Sequence, residues 1–251
     1  MTPRRIAEDI AFCLVFFTRL PLPHFEFVSR ALAQAIWAAP LVGVAVAMAA
    51  SIVHLLASAA GLSPEVAAAL ALATAMLMTG CLHEDGLSDV ADGFGGGKTR
   101  EQKLEIMRDS RIGAYGAAAL VMSVLIRWSA ITQLGNSFSV FCGLVAAHAA
   151  SRALLPVFMH LVPPARADGL AANAGSISAD AAYVSLAIGA VALMALSISG
   201  LVAAAIVLAI VFVVFRSLCM RQIGGQTGDT LGALQQLGEI AVLIVAAAVL
   251  T

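Results

Sequence analysis

Charge is what this sequence has least of. Only 12% of its 251 residues are Asp, Glu, Lys or Arg, about half the share in an ordinary soluble domain. With 14 basic and 15 acidic residues, the chain has too little polar surface to solvate a compact body in water, which excludes a soluble globular protein. Cysteine is scarce as well. Cys13, Cys81, Cys142 and Cys219 are scattered with no close pair, which excludes a disulfide scaffold and leaves them as small core residues. The 21 glycines follow no three-residue period, which excludes a collagen-like chain. Apolar residues, in contrast, make up 61% of the chain, far above any disordered composition. The solvent for most of this chain is therefore lipid. A formal net charge of -1 says nothing about partners, because in a membrane protein the position of each charge carries the information.

A helix crossing about 30 Å of hydrocarbon needs roughly 20 mostly apolar residues. Six runs meet that need: 36–60, 66–82, 112–134, 138–162, 181–199 and 201–215, the last extending towards Met220. A seventh, 237–251, is short and contains Glu239. The stretch from Ile10 to Phe17 is too short to span and is stopped by Arg19, Pro21 and Pro23, so it reads as an interfacial or re-entrant segment. Arg4 and Arg5 precede it, but no small-residue cleavage site follows, so it is expected to stay in the mature protein. Lys and Arg fall on one side only. Segments 1–35, 83–111, 163–180 and 216–236 hold 4, 5, 1 and 2 of them, while the turns near 61–65, 135–137 and 200 hold none. The positive-inside rule puts the long loops in the cytoplasm. The expected fold is an all-α integral membrane protein, one domain over 1–251, with about seven transmembrane helices. Its main cytoplasmic loop is 83–111 and its late loop 220–236. The expected location is the inner membrane, with the active site facing the cytoplasm.

The chemistry concentrates in His83-Glu84-Asp85-Gly86-Leu87-Ser88-Asp89-Val90-Ala91-Asp92-Gly93. Asp85, Asp89 and Asp92 are spaced four and three apart, so they form one stripe if the second helix continues through them. Stacked like charges call for a cation, and an oxygen-only set suits Mg2+ or Mn2+ better than zinc. The plainer alternative is a solvated helix end. Glu84 lies about 100° round the helix from Asp85 and could touch only the edge of such a site. His83 could be a ligand, a base or an interfacial residue.

Gly93-Phe94-Gly95-Gly96-Gly97 follows, a flexible break that could approach an anion or serve as a plain hinge. From Lys98 to Arg111, 8 of 14 residues are charged, among them Arg100. Arg108 and Arg111 are three apart and could present one cationic face to a diphosphate, or pair with Glu101, Glu105 and Asp109. Carboxylates for a divalent metal followed by cations for phosphate make an arrangement for phosphoryl transfer. An alcohol acceptor would also need a base, and Asp92 or His83 is available.

These residues resemble the cobalamin synthase family, the adenosylcobinamide-GDP ribazoletransferases. The resemblance spans nearly the whole chain. Phe17-Thr18-Arg19-Leu20-Pro21 is similar to an early family motif, and Asp85-Gly86-Leu87 with Asp89, Asp92 and Gly93 to its acidic motif. The most specific match is Glu105-Ile106-Met107-Arg108-Asp109-Ser110-Arg111-Ile112-Gly113, and Gly224-Gly225 with Thr227-Gly228-Asp229 and Gly232 resembles a late loop. Glu84 departs from the pattern, its position often being apolar. The resemblance implies that a hydroxyl of alpha-ribazole, or of its 5′-phosphate, attacks the cobinamide-side phosphorus of adenosylcobinamide-GDP. GMP leaves, and adenosylcobalamin or its 5′-phosphate forms, with Mg2+ required. On this reading Asp85, Asp89 and Asp92 are expected to hold the metal, with Asp109 and Glu84 as further candidates. Arg108 and Arg111 would grip the diphosphate. Arg19, Lys98, Arg100, Thr227 and Asp229 are candidate substrate contacts, although Arg19 could be an interfacial anchor and Asp229 a turn residue. The partners implied are these small molecules and the bilayer; nucleic acid is not expected, and a homo-oligomer is left open.

Two basic residues fall inside expected spans. His148 and Arg152 are four apart and face one way. An intramembrane cation marks a functional site by default, so Arg152 is a candidate substrate contact; its alternative is to tie helices together by pairing. Arg127 has the same two readings. Two other functions compete. A CDP-alcohol phosphotransferase also combines Asp-Gly helices with metal, but has an Ala-Arg pair after Asp-Gly where this chain has Leu87-Ser88-Asp89. A cation or solute transporter would put its carboxylates near the midplane and show two related halves, and no such halves are visible.

Overall fold

In a computed structural model, residues 2–21, 32–168 and 175–251 are described, and they are almost entirely helical. Pro23 and the interior of the 163–180 loop lie outside them. Helix α1 (Pro3–Phe17) is followed by a single turn, α2 (Leu32–Ala35), that runs through a 3-10 turn into α3 (Ala39–Ala59). Then come α4 (Pro64–Thr79), α5 (Leu82–Gly96), the short α6 (Arg100–Ile106), α7 (Ala114–Leu134) and α8 (Ser137–Leu161). The chain ends with α9 (Ala179–Leu193), α10 (Ile198–Gln222) and α11 (Gly228–Val249). The helices start where side chains satisfy their free N–H groups. Asn136 caps α8, Ser178 caps α9, Ser197 caps α10, and Thr227 with Thr230 forms a reciprocal cap on α11.

Five helical stretches are long and apolar enough to cross a bilayer, and α4 with α5 make a sixth if the bent pair is one span. The chain is an all-α integral membrane protein, as its hydropathy requires. Three details differ from the sequence expectation. The last helix is not a short run from 237 but a full 22 residues from Gly228; Glu239 interrupts the apolar run without interrupting the helix, because its charge is paired inside the bundle. Conversely, α9 has only 15 residues, about 22 Å of rise, because the chain turns at Met194 and restarts at the Ser197 cap. The third difference is the break between α4 and α5, described with the site.

α1 lies against the bundle through one stripe, Asp9, Cys13 and Phe17, spaced four apart. Trp37 Nε1 donates to Asp9 Oδ2 at 3.0 Å, and Cys13 Sγ to the Ala35 carbonyl at 3.1 Å. Burial pushes the Cys13 thiol up to about 12, which keeps it protonated as a packing residue. Among the cysteines, only Cys81 is not fully buried.

The most enclosed helix is α8, packed against α3, α9 and α11. In lipid no hydrophobic force drives helices together, so close backbone approach through small residues does that work. α8 supplies Ala146, Ala147, Ala149, Ala150 and Ala153, all buried. At Gly43 of α3, any side chain would run into the His148 carbonyl of α8, so only glycine permits that crossing. α10, by contrast, turns Val202, Ile206, Ile210 and Val213 outward, the face expected toward lipid.

Inside this packing lies a network of charges. Arg127 Nη1 of α7 donates to Glu84 Oε1 of α5 at 3.0 Å and to Glu239 Oε1 of α11 at 3.1 Å. The other oxygen of Glu239 lies 2.9 Å from His148 Nδ1 and 3.8 Å from Arg152 Nη1, both on α8. Gln235 Nε2 donates to Glu239 Oε2 at 2.6 Å, and Gln236 Nε2 to Glu84 Oε1 at 3.3 Å. Two carboxylates thus face two guanidiniums, and all four residues are at most 4% exposed. Removing one member of such a set leaves a buried charge unpaired, at a typical cost of about 3–5 kcal/mol. Glu239→Ala is therefore expected to destabilise the protein by about that amount, read as a large drop in unfolding temperature in detergent, whereas Gly43→Leu should prevent a folded protein from accumulating.

Candidate active site

The site begins with the break between α4 and α5. Gly80 (φ 61°) and Cys81 (φ 57°) both adopt left-handed backbone. Gly80 N–H donates to the Leu77 carbonyl at 3.1 Å and Cys81 N–H to the Met76 carbonyl at 2.9 Å, a Schellman termination of α4. Such geometry suits glycine and is strained for cysteine. The axis turns by 87°. Asp85, Asp89 and Asp92 thus share a helix, as their spacing predicts, but it is a separate one. Arg19 folds its side chain over Gly80 and its N–H donates to the Met78 carbonyl at 2.7 Å.

The three aspartates have different surroundings. Asp85 lines a cavity of about 110 Å3 with His83 and Gly86 of α5 and Gly228, Asp229 and Gly232 of α11. Much of the remaining lining is apolar, with Phe16, Phe17, Leu32, Ile36, Leu155 and Met159. Asp89 is half-buried and feels the negative charge of Asp85, Asp229 and Asp92. Asp92 has both oxygens engaged: Gly113 N–H donates to Oδ2 at 2.7 Å and Gly116 N–H to Oδ1 at 2.9 Å. It caps α7 from outside, satisfying free amides at the positive end of the helix. Glu84 is held by Arg127 within the bundle.

α5 and α11 meet almost backbone to backbone at Gly86. A methyl group there would come within 2.7 Å of the Asp229 carbonyl oxygen and 3.2 Å of the Gly232 Cα. This crossing brings Asp229 beside Asp85. Asp229 Oδ2 accepts from Thr227 Oγ1 at 3.1 Å and lies 3.4 Å from Arg166 Nη2. Among the described residues, no three His, Cys, Asp or Glu side chains converge into a ready-made metal cage.

The basic residues distribute unevenly. Arg108 and Arg111 follow the end of α6 and are not on a helical face. Arg108 Nη2 bonds both oxygens of Asp168 at 2.6 Å, and its charge reaches Asp229. Arg111 is exposed and grips Asp109 through Nε at 3.0 Å and Nη2 at 2.6 Å; that pairing holds the Asp109 carboxyl down at about 2. Arg100 Nη2 donates to the Ala165 carbonyl at 2.6 Å, Lys103 pairs with Gln222, and Lys98 is exposed. Ala165 N–H donates to the Gln226 carbonyl, and Gln226 N–H to the Pro163 carbonyl, both at 2.8 Å. The loops around 98–111, 163–168 and 222–229 therefore form one connected surface at one end of the bundle. Arg152 lies within the buried network, away from the cavity wall.

Arg166 was not singled out by sequence reasoning, which used it only in counting loop charge. Its signal was slight: it is the lone basic residue of 163–180. Asp92→Ala is expected to lose about 1–2 kcal/mol of stability, as for other lost N-caps, measured by denaturation in detergent. Gly86→Ala should abolish activity by separating Asp85 from Asp229 while the purified protein remains helical by circular dichroism.

No solved structure matches this chain. Its sequence does match relatives. Adenosylcobinamide-GDP ribazoletransferase of Mesorhizobium japonicum is 57% identical over 251 residues, covering 100% of this chain and 97% of that protein. The protein of the same name from Bradyrhizobium diazoefficiens is 48% identical over 98% of this chain and 96% of its own length. The one from Brucella ovis is 40% identical over 92% and 93%. The family model described as cobalamin-5-phosphate synthase matches residues 9–247, and with that coverage the chain belongs to the cobalamin-5-phosphate synthase family.

Proposed function

We propose that this protein is an adenosylcobinamide-GDP ribazoletransferase of the inner membrane, with its site facing the cytoplasm, and that it requires Mg2+. The observation that carries this reading is the cavity on which Asp85 and Asp229 meet, in a chain 57% identical to a ribazoletransferase along its whole length. The twelve basic residues of the long loops, against none in the short turns, support the cytoplasmic orientation.

In the reaction, a hydroxyl oxygen of alpha-ribazole or alpha-ribazole 5′-phosphate forms a bond to the phosphorus that bears cobinamide. The bond from that phosphorus to the GMP oxygen breaks, and GMP leaves with the bonding electrons. The hydroxyl proton passes to a base. Asp85 and Asp229 are the carboxylates on the cavity wall, and Asp89, beside them, is left to accept that proton. Arg166 and Arg108, both in the field of Asp229, counter the charge of the diphosphate. Arg100 and Lys98 belong to the same surface.

The donor set fits Mg2+. It is oxygen only, and a preformed cage is not needed, since Mg2+ is usually held by one or two carboxylates together with water and substrate phosphate. Asp85 and Asp229 would hold the ion, which leaves Asp89 free as the base. Bound there, Mg2+ would draw negative charge from the phosphate oxygens and ease departure of GMP. Asp92 and Asp109 serve this site less directly, since each has its oxygens committed to α7 and to Arg111 respectively.

Purified protein given adenosylcobinamide-GDP and alpha-ribazole with Mg2+ is expected to release GMP. EDTA should stop release and added Mg2+ restore it. No CMP should appear from CDP-diacylglycerol and an alcohol. Asp85→Asn and Asp229→Asn are each expected to lower kcat by roughly 100- to 1,000-fold, in protein whose unfolding temperature is unchanged. Full turnover in either variant would remove that carboxylate from the site.

A further inference from the structure

A second cavity, of about 380 Å3, lies between α9 and α10, away from the acidic site, and its lining is apolar throughout. α8 contributes Ala153 and Val157, α9 one wall with Leu186 and Ala190, and α10 the other with Ala205, Ala209 and Val213. The wall residues are exposed, so the cavity is a groove open to whatever surrounds the bundle. Around a membrane protein that is lipid, and side chains facing an unfilled groove would forfeit their dispersion contacts.

Both walls continue, at helical spacing, to a polar group. On α10 the row Ala205, Ala209, Val213 leads on to Arg216, and on α9 the row Ala190, Leu186 leads back to Tyr183. A short turn joins the two helices, so they run in opposite directions, and Arg216 and Tyr183 stand at the same end of the groove. It is the end at which the charged loops gather. Both residues are exposed, and Arg216 has no hydrogen-bond or ion-pair partner among the described residues. Side chains on a helix lean towards its N-terminus, which from Arg216 is back towards Val213 and the groove.

Length selects the occupant. From Ala205 to Arg216 the helix rises about 16 Å, close to the roughly 15 Å of hydrocarbon in one leaflet. A helix from a second copy of this chain would need a track through both leaflets and would have no use for a cation halfway along it. An acyl chain reaches through one leaflet and carries its phosphate at the interface, where arginine and tyrosine are at home. The unpaired guanidinium favours a headgroup with net negative charge.

We infer that the groove between α9 and α10 binds one negatively charged phospholipid, with an acyl chain along Ala205, Ala209 and Val213 and its phosphodiester on Arg216 beside Tyr183. The site is separate from the acidic cavity and does not depend on the proposed activity.

The test titrates protein washed free of lipid in detergent with phosphatidylglycerol or phosphatidylcholine and counts bound lipid by native mass spectrometry. Wild type is expected to hold one phosphatidylglycerol about fivefold more tightly than phosphatidylcholine, the contribution of a single arginine. Arg216→Gln should bring the two lipids to equal affinity. Arg221→Gln removes a charge that is also exposed but lies off the groove's row, and should leave the preference intact. Ala209→Trp and Ala190→Phe, each filling the groove from an exposed position, should lose the tightly held lipid while remaining helical by circular dichroism; if one fails to fold, the other is read alone. A wild type with no preference, equal losses in the two arginine variants, or undiminished binding in a folded groove-filling variant would overturn the site. So would a wild-type dimer that Ala209→Trp separates, since a second copy would then occupy the groove.

Discussion

The pairing of Arg127 with Glu84 and Glu239 is the contact on which the rest of this molecule depends. One guanidinium, buried in the middle of α7, joins α5 to α11, and through Glu239 it also joins His148 and Arg152 of α8. Each charge alone would be expelled from a lipid-embedded core. Together they balance, two acids against two guanidiniums, and four helices gain a fixed register. That register is what allows α5, which leaves the α4 axis at 87°, to lie against α11 rather than drift at the bilayer edge. The stabilisation is modest in net terms, because burying the ions costs nearly what their attraction returns. The gain is specificity of arrangement.

The cavity of the candidate site follows from that arrangement. Gly86 and Gly232 let two backbones touch, so Asp229 comes to lie beside Asp85. Asp92 then holds the start of α7 by its free amides, which sets where the 98–113 segment leaves the membrane. Arg100, Lys103 and Arg108 attach that segment to Ala165, Gln222 and Asp168. Acidic helix, basic loop and late loop thus become one surface, although they are far apart in the chain. The cavity beneath is lined by Asp85 and Asp229 together with apolar side chains, Phe17 and Leu155 among them.

Much of this was legible beforehand. The apolar runs located the long helices to within a few residues, since about 20 uncharged residues have few alternatives to a membrane span. The spacing of Asp85, Asp89 and Asp92 correctly made them one helical stripe. Less visible was the break at Gly80, although a glycine followed by a polar helix is a termination signal. Glu239 concealed the last helix, because hydropathy counts a paired carboxylate as an interruption. Arg108 and Arg111 have helical spacing, yet α6 ends at Ile106, so that spacing is not realised as a shared face. Arg166 gave almost no signal, being a single arginine in a loop.

Composition and periodicity by themselves determined the solvent, the helical class and the end of the bundle at which charge gathers, because each follows from the energy of putting a residue in lipid. Only the tertiary structure decided which carboxylates meet. Asp85 faces Asp229, Asp92 faces amides of α7, and Glu84 faces Arg127, although the three α5 residues lie within nine positions of one another. Glu84 points away from the stripe that Asp85 and Asp92 share two turns apart, and each side chain's role is set by what the other helices bring to it.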